Sequence, residues 1–211
     1  MTTRRPLVLI ACEESQVVYR AFRSRGIEAY SCDLQPCSGG HPNWHLHGDA
    51  LLIAQSAWDL IIAHPPCTYI SRAGARWMYP IAKGPEDPER LAKCLEAREF
   101  FMSLLSLPCP RIAVENPIPL RVAHLPRHSQ KIQPYEFGEP FSKATLLWLR
   151  GLPKLKPTAV LSEYRPYLPS NTGGAKRGQK AVIDGVMGQR ARSKTFQGIA
   201  SAMATQWGST L

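Results

Sequence analysis

Trp58-Asp59-Leu60-Ile61-Ile62-Ala63-His64-Pro65-Pro66-Cys67-Thr68 reads as an apolar run, Leu60 to Ala63, that stops abruptly at a His-Pro-Pro-Cys turn. The apolar run is a buried strand. Two prolines fix the backbone just past it and so hold the Cys67 side chain over the mouth of a sheet. A thiol presented this way can attack once its thiolate is populated, whereas a cysteine inside a core is inert.

Working outward, the same strand-then-polar-turn rhythm repeats. Residues 7–12 form a short apolar strand, followed by Glu13-Glu14-Ser15-Gln16 and then by Val17, Val18, Ala21 and Phe22 at helical spacing, with a stop at Gly26. A second strand, residues 28–32, ends in Asp33, and a loop rich in Pro, Gly and His leads to Gly48-Asp49. Downstream, residues 89–107 predict a long helix whose inner face carries Leu91, Leu95, Phe100, Phe101, Leu104 and Leu105. Residues 111–114 predict a buried strand ending at Glu115-Asn116-Pro117, residues 145–149 another strand, and residues 196–207 a final helix. Strands alternating with helices of this length predict an α/β fold with a doubly wound, mostly parallel sheet in a single domain. Residues 152–194 are the least regular part, with Pro153, Pro157, Pro166 and Pro169 and a basic, glycine-rich stretch, and they read as a long functional loop or a reduced recognition segment.

Bulk properties narrow the function classes. The chain has 211 residues, 44% of them apolar, enough for one substantial core. Its net charge of +10 favours a polyanionic partner, with nucleic acid the leading expectation. Six cysteines are scattered without the dense spacing of a disulfide scaffold, which predicts reduced thiols and a cytoplasmic setting. The apolar stretch that follows Arg4-Arg5 is too short for a signal-peptide core or a membrane span.

In an open parallel sheet, ligands bind beyond the carboxyl ends of the strands. Four such ends carry reactive or recognition groups: Asp33, Asp49, Cys67 and Glu115. Asp33 could accept hydrogen bonds from ribose hydroxyls and Asp49 could meet an exocyclic amine, although each is also an ordinary turn former or helix cap. Glu115, 48 positions after Cys67, could bind a pyrimidine edge and donate to its ring nitrogen when protonated.

Pro65-Pro66-Cys67 after one strand and Glu115-Asn116 after the next resemble the two catalytic motifs of DNA cytosine-5 methyltransferases. The resemblance runs in order through most of the chain and implies a Rossmann-like fold of the class I S-adenosylmethionine-dependent methyltransferase type. It implies S-adenosyl-L-methionine as cofactor, held by Ala11, Cys12, Glu13 and Ser15 of the first turn, by Asp33, Leu34, Asp49, Ala50 and Pro65, and by Thr195 ahead of the closing helix. Catalysis falls to Cys67, Glu115 and Lys143. Substrate contacts fall to Pro66, Ser71, Arg72, Arg76, Asn116, Thr145, Lys176 and Arg177, with residues 68–83, which include Trp77, closing over double-stranded DNA. A monomer without a metal is implied.

Three departures stand out. The family's first turn is glycine-rich, and Glu13-Glu14-Ser15-Gln16 has no glycine. Its Gln-x-Arg-x-Arg strand is replaced by Phe141-Ser142-Lys143-Ala144-Thr145, which leaves Lys143 as the positive charge near the base. The large target-recognition domain is reduced to residues 152–194, a compactness similar to small methyltransferases of phage or prophage origin. Amino-methyltransferases also carry Pro-Pro, but between a polar Asp, Asn or Ser and an aromatic; His64 and Cys67 in those places favour C5 chemistry. Cys32, Cys37, His41, His45 and His47 have a spacing compatible with a zinc site. Cytosine modification in RNA or in free nucleotides, and a non-catalytic nucleic-acid binder on the same fold, are further alternatives.

Overall fold

The computed structural model describes residues 4–81, 84–167 and 194–211. Its centre is a seven-stranded sheet of order β3-β2-β1-β4-β5-β8-β6, built from β1 (Leu7–Ala11), β2 (Glu28–Asp33), β3 (His45–His47), β4 (Leu60–Ala63), β5 (Ile112–Pro117), β6 (Gln130–Ile132) and β8 (Thr145–Arg150). β1 to β5 are parallel, and β8 runs antiparallel to both β5 and β6. A separate two-stranded ribbon joins β7 (Phe141–Ser142) to β9 (Arg165–Pro166). This is the α/β, doubly wound, mostly parallel sheet of Rossmann-like type that the sequence predicts.

β4 is fully buried along its length and so are Val8 to Ala11 of β1, because each strand is covered on both faces. On one face, α1 (Val17–Arg23) and α5 (Gln197–Gln206) pack Val18, Phe22, Ile199 and Met203 against Val8, Ile10 and Ile62, with Trp207 just beyond α5. On the other, α4 (Pro88–Leu105) packs Phe101 and Leu104 against Leu9, Ile61 and Ile112. α4 starts where Asp87 accepts from the Arg90 N–H and Pro88 takes the first turn. Leu95 of α4 is 43% exposed, so the expected inner face is narrower than the run of leucines suggested. Two short helices, α2 (Ala50–Ile53) and α3 (Ala75–Met78), were not evident in the sequence.

The turn after β1 is built without glycine but adopts a glycine-like path. Cys12 and Gln16 both have left-handed backbone angles, φ 59° and φ 58°. An L side chain there costs roughly 1 to 2 kcal/mol, so other contacts must hold it. Glu13 supplies one set: fully buried, it accepts from the N–H groups of Val18 (2.6 Å) and Tyr19 (3.2 Å) and so satisfies the start of α1. Gln16 supplies the other, since its buried amide donates to Ser31 Oγ and the His41 carbonyl and accepts from the His41 N–H. Gly39 lets the incoming loop lie against this turn, where a Cβ would sit 2.5 Å from that of Gln16.

Replacing Glu13 by Ala strands two buried N–H groups and is expected to cost about 2 to 4 kcal/mol. Cys12→Gly is expected to change stability by less than about 1 kcal/mol, because relief of strain and added unfolded-state freedom oppose each other. Urea midpoints at constant slope test both, and a Glu13→Ala protein as stable as the native one would overturn the account of the turn.

Candidate active site

The order of the sheet reverses between β1 and β4, which opens a crevice beyond their carboxyl ends. Register then fixes what meets there. Ala63 pairs with Ala11 on one side and Val114 on the other, so the next residues, His64 and Glu115, emerge side by side. The His64 N–H continues the ladder to the Ala11 carbonyl, and its Nδ1 lies 3.4 Å from Glu115 Oε2. One residue further, the buried Asn116 donates from Nδ2 to the Pro65 carbonyl at 3.1 Å, tying the end of β5 to the Pro-Pro turn.

Cys67 follows this turn, partly exposed. Burial pushes its thiol up, and the Glu115 carboxylate pushes it further; Lys143 and a hydrogen bond from Ser71 pull the other way without cancelling the rise. The resting thiol is therefore protonated at neutral pH. Lys143 lies two residues before β8, whose first residue, the buried Thr145, donates from its hydroxyl to the Lys143 carbonyl and fixes its backbone. Glu115, Lys143 and Thr145 line one pocket with Lys194, Thr195, Phe196 and Ile199. Thr195 and Phe196 reach it because Gly198 at the start of α5 sits against the Phe137 carbonyl, where a Cβ would be only 1.9 Å away.

The segment after Cys67 is stitched to the one after Glu115. The Ser71 N–H returns to the Cys67 carbonyl, Arg72 N–H bonds the Ile118 carbonyl, and Leu120 N–H bonds that of Ile70. Arg90 of α4 donates to the Thr68 carbonyl at 2.6 Å and lies over the Tyr69 ring. Ser71 is buried, whereas Pro66, Arg72, Arg76 and Trp77 are exposed, with the Arg76 guanidinium 4.5 Å from the Trp77 ring.

On the other side of the crevice, Cys12, Asp33 and Asp49 come within electrostatic reach of one another: burial, then Cys32, Asp33 and Asp49, all push the Cys12 thiol up. The same burial pushes Cys32 up to about 11. Asp33 Oδ1 accepts from the Gln35 N–H, and among the described residues its Oδ2 has no partner. Leu34 beside it is 72% exposed, an apolar surface next to a carboxylate at a strand end, which suits a nucleoside. Asp49 caps α2 through the Leu51 N–H, with Ala50 buried behind it, so the ordinary helix-cap role is filled. Glu13 and Ser15 are buried in the turn, and Glu13 has both oxygens engaged with α1.

The histidines of the zinc-like spacing serve the loop instead. His45 bonds Ser31 Oγ and the Gln35 carbonyl, and His47 the Leu34 carbonyl. Among the described residues, no group of three or more His, Cys, Asp and Glu could hold a metal. None of the six cysteines is in a disulfide, and no described helix is long and apolar enough to cross a membrane. Lys176, Arg177, Lys180, Arg190 and Arg192 lie outside the described residues. Sequence reasoning missed His64 as the neighbour of Glu115 and Phe196 as a wall of the pocket; the first was signalled only by an unusual residue ahead of Pro-Pro.

No protein-family model and no curated protein sequence matches the chain. Among solved structures, it is similar to an E. coli prophage-encoded protein assigned as a DNA modification methyltransferase, at 13% identity and a TM-score of 0.44, over 74% of this chain and 52% of that one. It is similar to the S. pombe Dnmt2 methyltransferase at 14% identity and a TM-score of 0.37, over 77% and 52% of the two chains. The Entamoeba histolytica methyltransferase EhMeth matches at 14% identity and a TM-score of 0.41, over 75% and 58%. The chain thus spans little more than half the length of the solved structures it matches, and the chemistry of the site rests on its own geometry.

Proposed function

We infer that this chain is an S-adenosylmethionine-dependent methyltransferase acting on C5 of cytosine in DNA, through a covalent bond to Cys67. The observation that carries the reading is the placement of a turn-held thiol, a carboxyl and a lysine together: Cys67 after β4, Glu115 in the last half of β5 and Lys143 ahead of β8. The carboxylate and apolar surface of Asp33 and Leu34 on the other side of the switch point fit a nucleoside cofactor, with Cys12 and Asp49 alongside. When bound, that cofactor supplies a methyl group activated on a sulfonium.

The target base must leave the stack to reach a recessed thiol. Glu115 takes the thiol proton of Cys67 and donates it to the ring nitrogen, which makes C6 electrophilic. Cys67 then bonds to C6, and C5 becomes the carbon nucleophile that takes the methyl group. Loss of the C5 proton expels Cys67 and restores the aromatic ring. Lys143 offsets the Glu115 charge beside the thiol, and the loop carrying Arg72, Arg76 and Trp77 meets the nucleic-acid backbone. The net charge of +10 supports a polyanionic substrate, and binding is expected to fall steeply with added salt.

Cys67→Ser is expected to abolish methyl transfer and leave cofactor binding within about threefold of native, since the thiolate acts only in the chemical step. DNA containing 5-fluorocytosine should form a denaturation-resistant adduct with the native protein, because a C5 fluorine cannot leave as a proton does. Near-native turnover by Cys67→Ser would overturn covalent catalysis. Bisulfite sequencing of DNA from expressing cells reads activity and context together, with a short or relaxed context expected.

Alkylation gives a measurement that needs no substrate. Iodoacetamide should label Cys67 slowly at pH 7 and faster above pH 9, because its thiol titrates above the ordinary value of 9.0. Glu115→Gln removes the charge that opposes thiolate formation, so labelling at pH 8 should speed up, as read by mass spectrometry of the Cys67 peptide. Unchanged labelling in Glu115→Gln would separate the two groups and remove the electrostatic basis of the site.

A further inference from the structure

We propose that His64 is a positioning residue, which aims the Glu115 carboxyl at the base through its Nδ1–H. The proposal deepens the reading of Glu115 as the group that engages the base, and rests on it. His64 is anchored at its backbone by the Ala11 carbonyl, and its side chain is only 11% exposed. Nδ1 faces Glu115 Oε2 at 3.4 Å, while Nε2 is buried without a hydrogen-bond partner among the described residues. The ring cannot turn to water, and it has one polar neighbour within bonding reach.

Two carboxylates act on the ring from different elements. Glu115 comes from β5, and Glu13 comes from the turn after β1, where His64 and three backbone N–H groups counter the effect of burial on its carboxyl. Glu13 has both oxygens taken by α1, so it is a fixed neighbour rather than a competitor for Nδ1. Beyond Glu115 stand Cys67 on the same turn as His64, and Lys143 ahead of β8, both in electrostatic contact. An ionised carboxylate only accepts hydrogen bonds, so its contact with Nδ1 places a proton between the two groups.

That contact has a use in the addition step. As the Cys67 sulfur bonds to C6, its thiol proton passes to the Glu115 carboxylate and on to the ring nitrogen N3, toward which the C5=C6 electron pair is displaced, while the Nδ1–H stays on His64 and holds Oε2 in place. After C5 has taken the methyl group, water takes the C5 proton, the C6–S bond breaks, and the N3 proton returns through Glu115 to the Cys67 sulfur.

His64→Asn places an amide N–H where Nδ1–H stood and should keep kcat within about threefold of native. His64→Ala leaves Glu115 unaimed, and its kcat is expected to fall at least about tenfold at pH 7.5, with KM within about threefold of native. Native kcat in His64→Ala would overturn the inference. Nitrogen-15 NMR of the His64 ring gives an arm independent of activity: Nδ1 should carry hydrogen in the native protein at neutral pH, and Glu115→Ala should release the ring to the Nε2–H tautomer. A native ring with bare Nδ1 overturns the inference even if the variants lose activity through misfolding. A native protein that methylates nothing but shows the Nδ1–H tautomer defeats the assigned reaction and leaves the pairing of His64 with Glu115 standing.

Discussion

Parallel pairing of β4 with β1 on one side and β5 on the other is the constraint from which the site follows, because register leaves no freedom in what emerges at the strand ends. Ala63 is held opposite Ala11 and Val114, and a slip of one residue would turn every buried side chain of β4 to the opposite face. With four consecutive apolar residues covered on both faces, the strand has no polar side chain with which to mark its register. The ends do that work: His64 extends the ladder to β1, and Asn116 clasps the Pro65 carbonyl. Removing either clasp would loosen the thiol before it unfolded the protein.

The electrostatics of Cys67 follow from the same proximity. Burial and Glu115 keep the thiol protonated, and Lys143 with Ser71 lowers the cost of ionising it without tipping the balance. A thiol in this state resists oxidation, which tracks thiolate character and exposure. Neutralising Glu115, which the ring nitrogen of a bound pyrimidine would share as a proton acceptor, removes one of the two causes of the raised thiol. Substrate and nucleophile would then be activated through one carboxyl group.

Much of this was legible in the sequence because central parallel strands announce themselves as short apolar runs, and their ends as sudden Pro, Asp or Glu. β1, β2, β4 and β8 were read to within about a residue and β5 with its end three residues short, and with them the position of Cys67 just past β4 and of Glu115 near the end of β5. β3, β6, β7 and β9 are two or three residues long, too short for any period to show, and only pairing defines them. The site was less legible where a polar residue had two possible uses. Glu13 and Asp49, both expected at a cofactor, also have structural uses: Glu13 holds α1 and Asp49 caps α2. His64 was visible as an unusual residue, but its role depends on the neighbouring strand, which lies 51 positions away. Leu95 shows the reverse error, an apolar residue at helical spacing left near the edge of the buried face.

The glycine-free first turn couples fold to function in a way that family patterning alone misses. A glycine there would reach the left-handed region at no steric cost and would need no support. Cys12 and Gln16 reach it under load, and the contacts that carry the load come from Glu13, Ser31 and His41, on the turn, on β2 and on the loop beyond it. The turn, the second strand and the loop that follows are thereby locked together, with Gly39 admitting the close approach. Asp33 and Leu34 sit at the root of that loop. Under the proposed function, the geometry offered to a nucleoside is set before it arrives, which lowers the ordering cost of binding. On the opposite side of the crevice, the stitching of residues 70–72 to 118–120 makes Cys67 and Glu115 move as one body. Under the proposed function, two preorganised halves meeting at the switch point leave orientation of the nucleic acid, rather than assembly of Cys67, Glu115 and Lys143, as the step that binding energy must supply.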